Sequence, residues 1–163
     1  MRDLAEKVGL EVSSLYSHIK SKEEILTTLC FHCANLYSEG LSHILDMNTD
    51  PMQKIDAIMD LHINIAIYHP SSITVFNDEW KHLSTNELER FLKLRKRYEK
   101  GVKSILQDGI NAKQFKDYSI DILMNTILSA MRWIHYSNSE YNTVERSAVQ
   151  STVKNIVKSG ISY

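Results

Sequence analysis

A chain of 163 residues is long enough for one substantial core, or for a small head on a body, and too short for two large domains. A net charge of −1, from nineteen basic and twenty acidic side chains, argues against a generic nucleic-acid coat protein. Five glycines, two prolines and no alternating polar and apolar run point to an all-α chain. Nothing reads as a signal peptide or a bilayer-spanning run, so a soluble, cytoplasmic protein is expected.

The first twenty-six residues carry an ordered set of helix signals. A short helix is expected from Arg2 to Val8, with Leu4, Ala5 and Val8 on one face. Gly9 follows, where a helix commonly ends in a left-handed residue. A second helix, from about Glu11 to Ile19, would present Val12, Ser13, Ser14 and Ser17 on one side and Leu15 and Ile19 on the other. Small hydrogen-bonding residues on a leading face let a helix backbone approach base edges in a major groove. Ser21 followed by Glu24 predicts a capping box opening a third helix.

At these residues the chain resembles the TetR-like family of bacterial one-component repressors. The matching string is Leu4-Ala5, Gly9, Leu15-Tyr16-Ser17-His18-Ile19, Ser21-Lys22-Glu23 and Leu26. The resemblance implies that the helix beginning near Glu11 is the recognition helix, with Ser13, Ser14 and Ser17 facing bases. It also implies that Tyr16, His18 and Lys22 hold backbone phosphates, a role their hydroxyl, imidazole and ammonium suit chemically. Two departures stand out. The family places an amphipathic helix before the one that begins here at Arg2, so a truncated product or a misplaced start is expected. Residues 1–26 also hold four basic groups (Arg2, Lys7, Lys20, Lys22) against five acidic ones (Asp3, Glu6, Glu11, Glu23, Glu24). That balance opposes phosphate binding.

Beyond the head, a linking helix is expected from Ser21 to about Asp46, with Ile25, Leu29, Leu36, Leu41 and Leu45 among its apolar positions. Asn48-Thr49-Asp50-Pro51 would stop it, Asp50 capping the next helix with Pro51 at its first position. That helix, Pro51 to His69, places Ile55, Ile58, Met59, His62, Ile65 and Ala66 on one face. His62 there is either a hydrogen-bonded core residue or a ligand contact. His69-Pro70-Ser71-Ser72 reads as a break, followed by a short helix with Ile73, Phe76, Asn77 and Trp80 on one side. An aromatic pair with an amide suits an apolar pocket with one orienting polar group, and simple core packing is the alternative.

The segment Ser84 to Asp108 is dense in cations: Arg90, Lys93, Arg95, Lys96, Arg97, Lys100 and Lys103. They form either a solvated face or a reception site for an anionic headgroup. Leu94-Arg95-Lys96-Arg97-Tyr98-Glu99, with Gly109 and Phe115, and the run Met131 to Tyr136 resemble the C-terminal half of repressors that sense acyl-coenzyme A thioesters. The pocket candidates are His62, Phe76, Asn77, Trp80, Tyr98 and Trp133.

Two further helices close the chain. Tyr118 to Tyr136 reads as apolar almost all round and so must be covered on every side. Thr143 to Ser159 repeats Val149, Val153, Ile156 and Val157 on one face. Packed against their twofold mates, these two helices would make the four-helix bundle of a homodimer.

Cys30-Phe31-His32-Cys33 has the spacing of a metal or redox pair, but lacks a second ligand pair; burial on a helix face is the expected role. No nucleophile elbow, phosphate loop or metal-ligand pattern indicates an enzyme, and no cofactor or metal is expected. The division expected is a head plus linking helix at 1–46 and an effector-binding and dimerisation domain at 47–163. Two functions fit: a dimeric repressor released from operator DNA by a small, largely apolar effector, or a ligand- or partner-binding helical dimer without DNA binding.

Overall fold

Side-chain caps open two of the helices in the structure, a computed structural model that describes residues 2–7, 9, 11, 13, 14, 16, 19–137 and 143–163. Helix α1 spans Arg2–Lys7, and Gly9 follows it at φ +66°, the left-handed conformation expected there. Ser13, Ser14 and Tyr16 are helical, while Glu11 and Ile19 are not.

Helix α2 runs Lys22–Asp46 from an N-cap at Ser21, whose Oγ accepts the Glu24 N–H at 3.1 Å. The Glu24 carboxylate accepts from the Lys20 N–H at 2.6 Å, so the returning arm of the box lands one residue before the cap. Helix α3, Pro51–Tyr68, opens with a complete box: Asp50 accepts from the Gln53 N–H and the Gln53 amide oxygen from the Asp50 N–H. Helix α4, Pro70–Asp78, starts immediately afterwards. His69 alone separates the two, because Pro70 is tolerated in a first turn where its missing N–H has no partner to lose. The expected four-residue break is thus one residue.

A 3-10 turn, Trp80–His82, leads to α5, Thr85–Asn111, the longest helix described. Then come α6, Ile120–Arg132, a turn at Trp133, and α7, Ile134–Ser137. The single helix expected from Tyr118 to Tyr136 is therefore interrupted near its end. Helix α8, Thr143–Ile161, is last. The described residues are all-α, with one isolated bridge, Phe115 to Ser162, beside which the Lys116 N–H donates to the Ile161 carbonyl at 2.8 Å.

The buried face of α2 is Cys30, Cys33, Ala34, Tyr37, Leu41 and Ile44. Of the expected apolar set only Leu41 is fully buried, and Leu45 is exposed. Beside this face Gly40 lets α3 approach closely: a Cβ on Gly40 would lie 2.5 Å from Leu61 Cδ1. The main core joins α2, α3, α5, α6 and α8 through residues such as Leu41, Ile58, Met59, Leu106, Phe115, Ile127 and Val157. Phe115 lies directly over Gly109, where any Cβ would meet its ring at 2.1 Å.

Helix α8 is held to α3 by charge as well as by Val153 and Val157. The Lys154 ammonium sits 2.8 Å from both Asp56 and Asp60, Lys158 is 3.1 Å from Asp56, and the Gln150 amide donates to Asp60. Burial opposes ionisation of Asp56, but the two lysines overcome it and hold the carboxyl below its ordinary range. Helix α6 buries Leu123, Met124, Ile127 and Met131 while Ile122 is 66% exposed, so its apolar circuit is only partly covered within one chain. Ile156, expected on the packed face of α8, is 67% exposed.

Cys30 and Cys33 are free and fully buried. Burial first, with Glu79 near Cys30 and Cys30 near Cys33, pushes each thiol up to about 11.

Candidate functional site

A cavity of about 280 Å³ lies between α2, α3, α4, α5 and α6. Each wall follows from helix periodicity. On α2, Ala34, Tyr37 and Ser38 share a face with the buried cysteines. On α3, His62 and Ala66 are one turn apart, and on α4 so are Ile73, Phe76 and Asn77. On α5, Phe91, Leu94, Arg95, Tyr98 and Glu99 repeat at three and four, while Asn125, Ser129 and Arg132 form a polar row on α6. Trp80 closes one end from the 3-10 turn.

Rings make up the floor. The Tyr37 ring lies 4.4 Å from that of His62, centroid to centroid, and 5.4 Å from Phe76. Phe91 meets Phe76 edge-on at 5.4 Å and stacks with Trp80 at 6.0 Å. Set among them is one polar pair: His62 Nε2 and Tyr98 Oη are hydrogen-bonded at 2.8 Å. His62 lines the cavity, and its ring packs against those of Tyr37 and Tyr98. Burial pushes its pKa down to about 3 and raises the phenols of Tyr37 and Tyr98, so all three stay uncharged.

Charge is confined to two paired arginines. Arg95 lies over the Trp80 ring at 5.6 Å and donates through Nε to Glu99 at 3.0 Å. Arg132 donates to the Asn77 carbonyl at 3.2 Å and reaches Asp78 at 3.4 Å. Among the remaining cations expected to receive a headgroup, none lines this cavity. Arg90, Lys93 and Arg97 line a separate, shallower groove with Thr27, Thr28 and Asn35, where Arg90 stacks on Phe31 at 5.0 Å. Lys103 pairs with Asp121.

Five of the six pocket residues picked from sequence, His62, Phe76, Asn77, Trp80 and Tyr98, are brought together here. Trp133 is not: it occupies the turn between α6 and α7, 40% exposed and outside the lining. Sequence reasoning missed Tyr37, left Arg95 among seven undifferentiated cations, and did not single out Arg132 or the Asn125–Ser129 row. The last was legible as polar residues four apart on α6.

At the other end of α2, Lys22 is exposed at the first helical position, Ser13 is exposed, Ser14 half-buried, and Tyr16 49% exposed. Ser17 and His18 lie outside the described residues. No cluster of metal-ligating side chains occurs among the described residues, and no helix among them is long and apolar enough to cross a membrane.

Comparison with known proteins adds three relatives. Residues 48–136 match the family described as tetracyclin repressor-like, C-terminal domain. The HTH-type transcriptional repressor KstR2 of Mycolicibacterium smegmatis is 25% identical over 139 residues, covering 82% of this chain and 68% of that protein. The ketosteroid transcriptional regulator KstR2 of Mycobacterium tuberculosis superposes with a TM-score of 0.88 at 22% identity, over 99% of this chain and 84% of that one. AibR, solved with isovaleryl coenzyme A and operator DNA, superposes with a TM-score of 0.78 at 15% identity, over 95% of this chain and 84% of that one. At these identities the structural matches speak for the fold.

Proposed function

Since the chain belongs to the tetracyclin repressor-like family of transcriptional regulators, we propose that it is a dimeric repressor released from operator DNA by a small, largely apolar effector held in the aromatic cavity. The observation that carries this reading is that α2 serves both regions. Its N-cap is Ser21, directly after the segment expected to be the DNA-binding head, and its residues Ala34, Tyr37 and Ser38 wall the cavity. An effector therefore touches the element that holds the head, and DNA and effector favour different positions of it.

Within this reading residues 1–46 form the head and its support, and residues 47–163 the effector and dimerisation body. Ser13, Ser14 and Ser17 face bases, while Tyr16, His18 and Lys22 hold phosphates. Exposed Ile122 on α6 and Ile156 on α8 support a twofold contact through these two helices. The acyl part of a coenzyme A thioester is one effector of suitable polarity, and AibR supplies the precedent within the fold. Fluorescence anisotropy on the DNA beside its own coding region, at two salt concentrations, tests the proposal. Salt-dependent binding that a cavity ligand weakens is expected. A tightly bound ligand that leaves operator affinity unchanged refutes the mechanism. The acidic excess of residues 1–26 favours a second reading, a ligand- or partner-binding dimer without DNA function, which absence of any DNA binding would select.

A further inference from the structure

We propose that the His62–Tyr98 pair is a specificity element that reads an uncharged oxygen, a hydroxyl or a carbonyl, on an otherwise apolar, ring-bearing ligand. The inference rests on the reading that this cavity is the effector site. Its basis is the contrast between this pair and the rings packed around it; the polar row of Asn125, Ser129 and Arg132 belongs to the α6 wall. Tyr37, Phe76, Phe91 and Trp80 offer ring faces and edges and suit a flat hydrophobic body. The 2.8 Å contact between His62 Nε2 and Tyr98 Oη leaves the phenol with one unused hydrogen-bonding function, whichever way the shared proton points. If the phenol donates to the imidazole, its oxygen accepts from a ligand hydroxyl. If Nε2 carries the proton, the phenol hydroxyl is free to donate to a ligand carbonyl. One pair thus serves either oxygen by exchanging tautomers, with no heavy atom moved.

A carboxylate finds no equivalent there. Neither member of the pair carries positive charge at neutral pH, and the arginines in the wall already have acidic partners, Arg95 with Glu99 and Arg132 with Asp78. A carboxylate at the pair would be desolvated without a counter-charge, whereas a neutral oxygen exchanges one hydrogen bond with water for one with the phenol.

The test is calorimetric titration of the full chain with two probes of matched shape, 4-hydroxybiphenyl and biphenyl-4-carboxylate, repeated on Tyr98→Phe. The hydroxyl probe is expected to bind at least tenfold tighter than the carboxylate. Tyr98→Phe should erase most of that preference, while binding of the carboxylate barely changes. A carboxylate that binds as tightly as the hydroxyl probe, a preference that survives in Tyr98→Phe, or no binding of either probe overturns the inference. Operator affinity measured with the hydroxyl probe separates the two ideas. Selective binding that leaves DNA affinity unchanged removes the effector reading and keeps the specificity of the pair; DNA release by both probes alike does the reverse.

Discussion

Replacing His62 by glutamine should remove a specific portion of the protein's acid sensitivity. Burial holds the His62 pKa at about 3 in the folded chain, against 6.5 for an ordinary imidazole. The folded value is the lower one, so between the two the unfolded chain binds more protons. Stability from this group is complete above about pH 6.5 and drains away as pH falls toward 3. At pH 5 the unfolded imidazole is almost wholly protonated and the folded one almost wholly neutral. The loss relative to pH 7.5 is then about 2 kcal/mol, since 1.5 pH units at about 1.4 kcal/mol each is the free energy of charging the unfolded ring. This figure depends little on how far below 4 the folded value lies. Glutamine keeps a polar partner for Tyr98 and cannot titrate. Urea unfolding followed by circular dichroism at pH 7.5 and pH 5 checks the reasoning. The other six of the seven histidines are common to both proteins and cancel. The wild type should lose about 1 M more of its urea midpoint than His62→Gln. Equal losses in the two proteins would show that His62 is protonated freely in the fold, and the uncharged cavity floor would have to be abandoned.

Three further outcomes follow from the packing. Gly109→Ala places a methyl on the Phe115 ring and should destabilise by about 1–3 kcal/mol, whereas Gly160→Ala, with open space around it, should stabilise by about 0.5–1 kcal/mol; melting temperatures of the same sign would refute the contrast. Lys154→Met leaves Asp56 and Asp60 without their shared ammonium and should cost about 1–3 kcal/mol at pH 7. Because Asp56 is held low in the folded state, its contribution is present at neutral pH and lost in acid, so the gap to wild type in unfolding titrations should narrow below about pH 4. Cys30 and Cys33 should be inert to Ellman's reagent in the native protein and react fully in denaturant; rapid native reaction would contradict their burial.

The helical fold was legible because caps and breakers are local signals. Ser21, Asp50 with Pro51, and Gly9 act on their own neighbours, and the structure places the α2 and α3 boundaries within a residue or so of where the sequence does. What escaped was decided by neighbours distant in sequence. The true face of α2 repeats at 30, 33, 34, 37, 41 and 44; burial of the two cysteines was expected, but the leucines and isoleucines were weighted above Ala34 and Tyr37 in choosing the rest. Tyr37 was lost from the cavity for that reason. Trp133 joined the pocket set through the resemblance of the run Met131 to Tyr136, and the turn it occupies places it outside the lining. The cations of α5 look alike in sequence; Arg95 alone among them lines the cavity, because it shares a helical face with Phe91 and Tyr98.

The placement of Tyr37 along α2 gives the helix the proportions of an unequal lever. Leu41 and Ile44 are buried in the main core and Gly40 is pressed against Leu61, which makes this part of the helix the natural fulcrum. Tyr37 stands four residues from Leu41, about 6 Å along the axis, and Ser21 twenty residues away, about 30 Å. The arms differ fivefold. If the helix turns as a rigid rod, a displacement of about 0.7 Å at the Tyr37 backbone becomes about 3.4 Å at Ser21, one base-pair step along a DNA strand. On the proposed function, a ligand need only nudge the ring that floors its cavity for the other end of the helix to fall out of step with a groove.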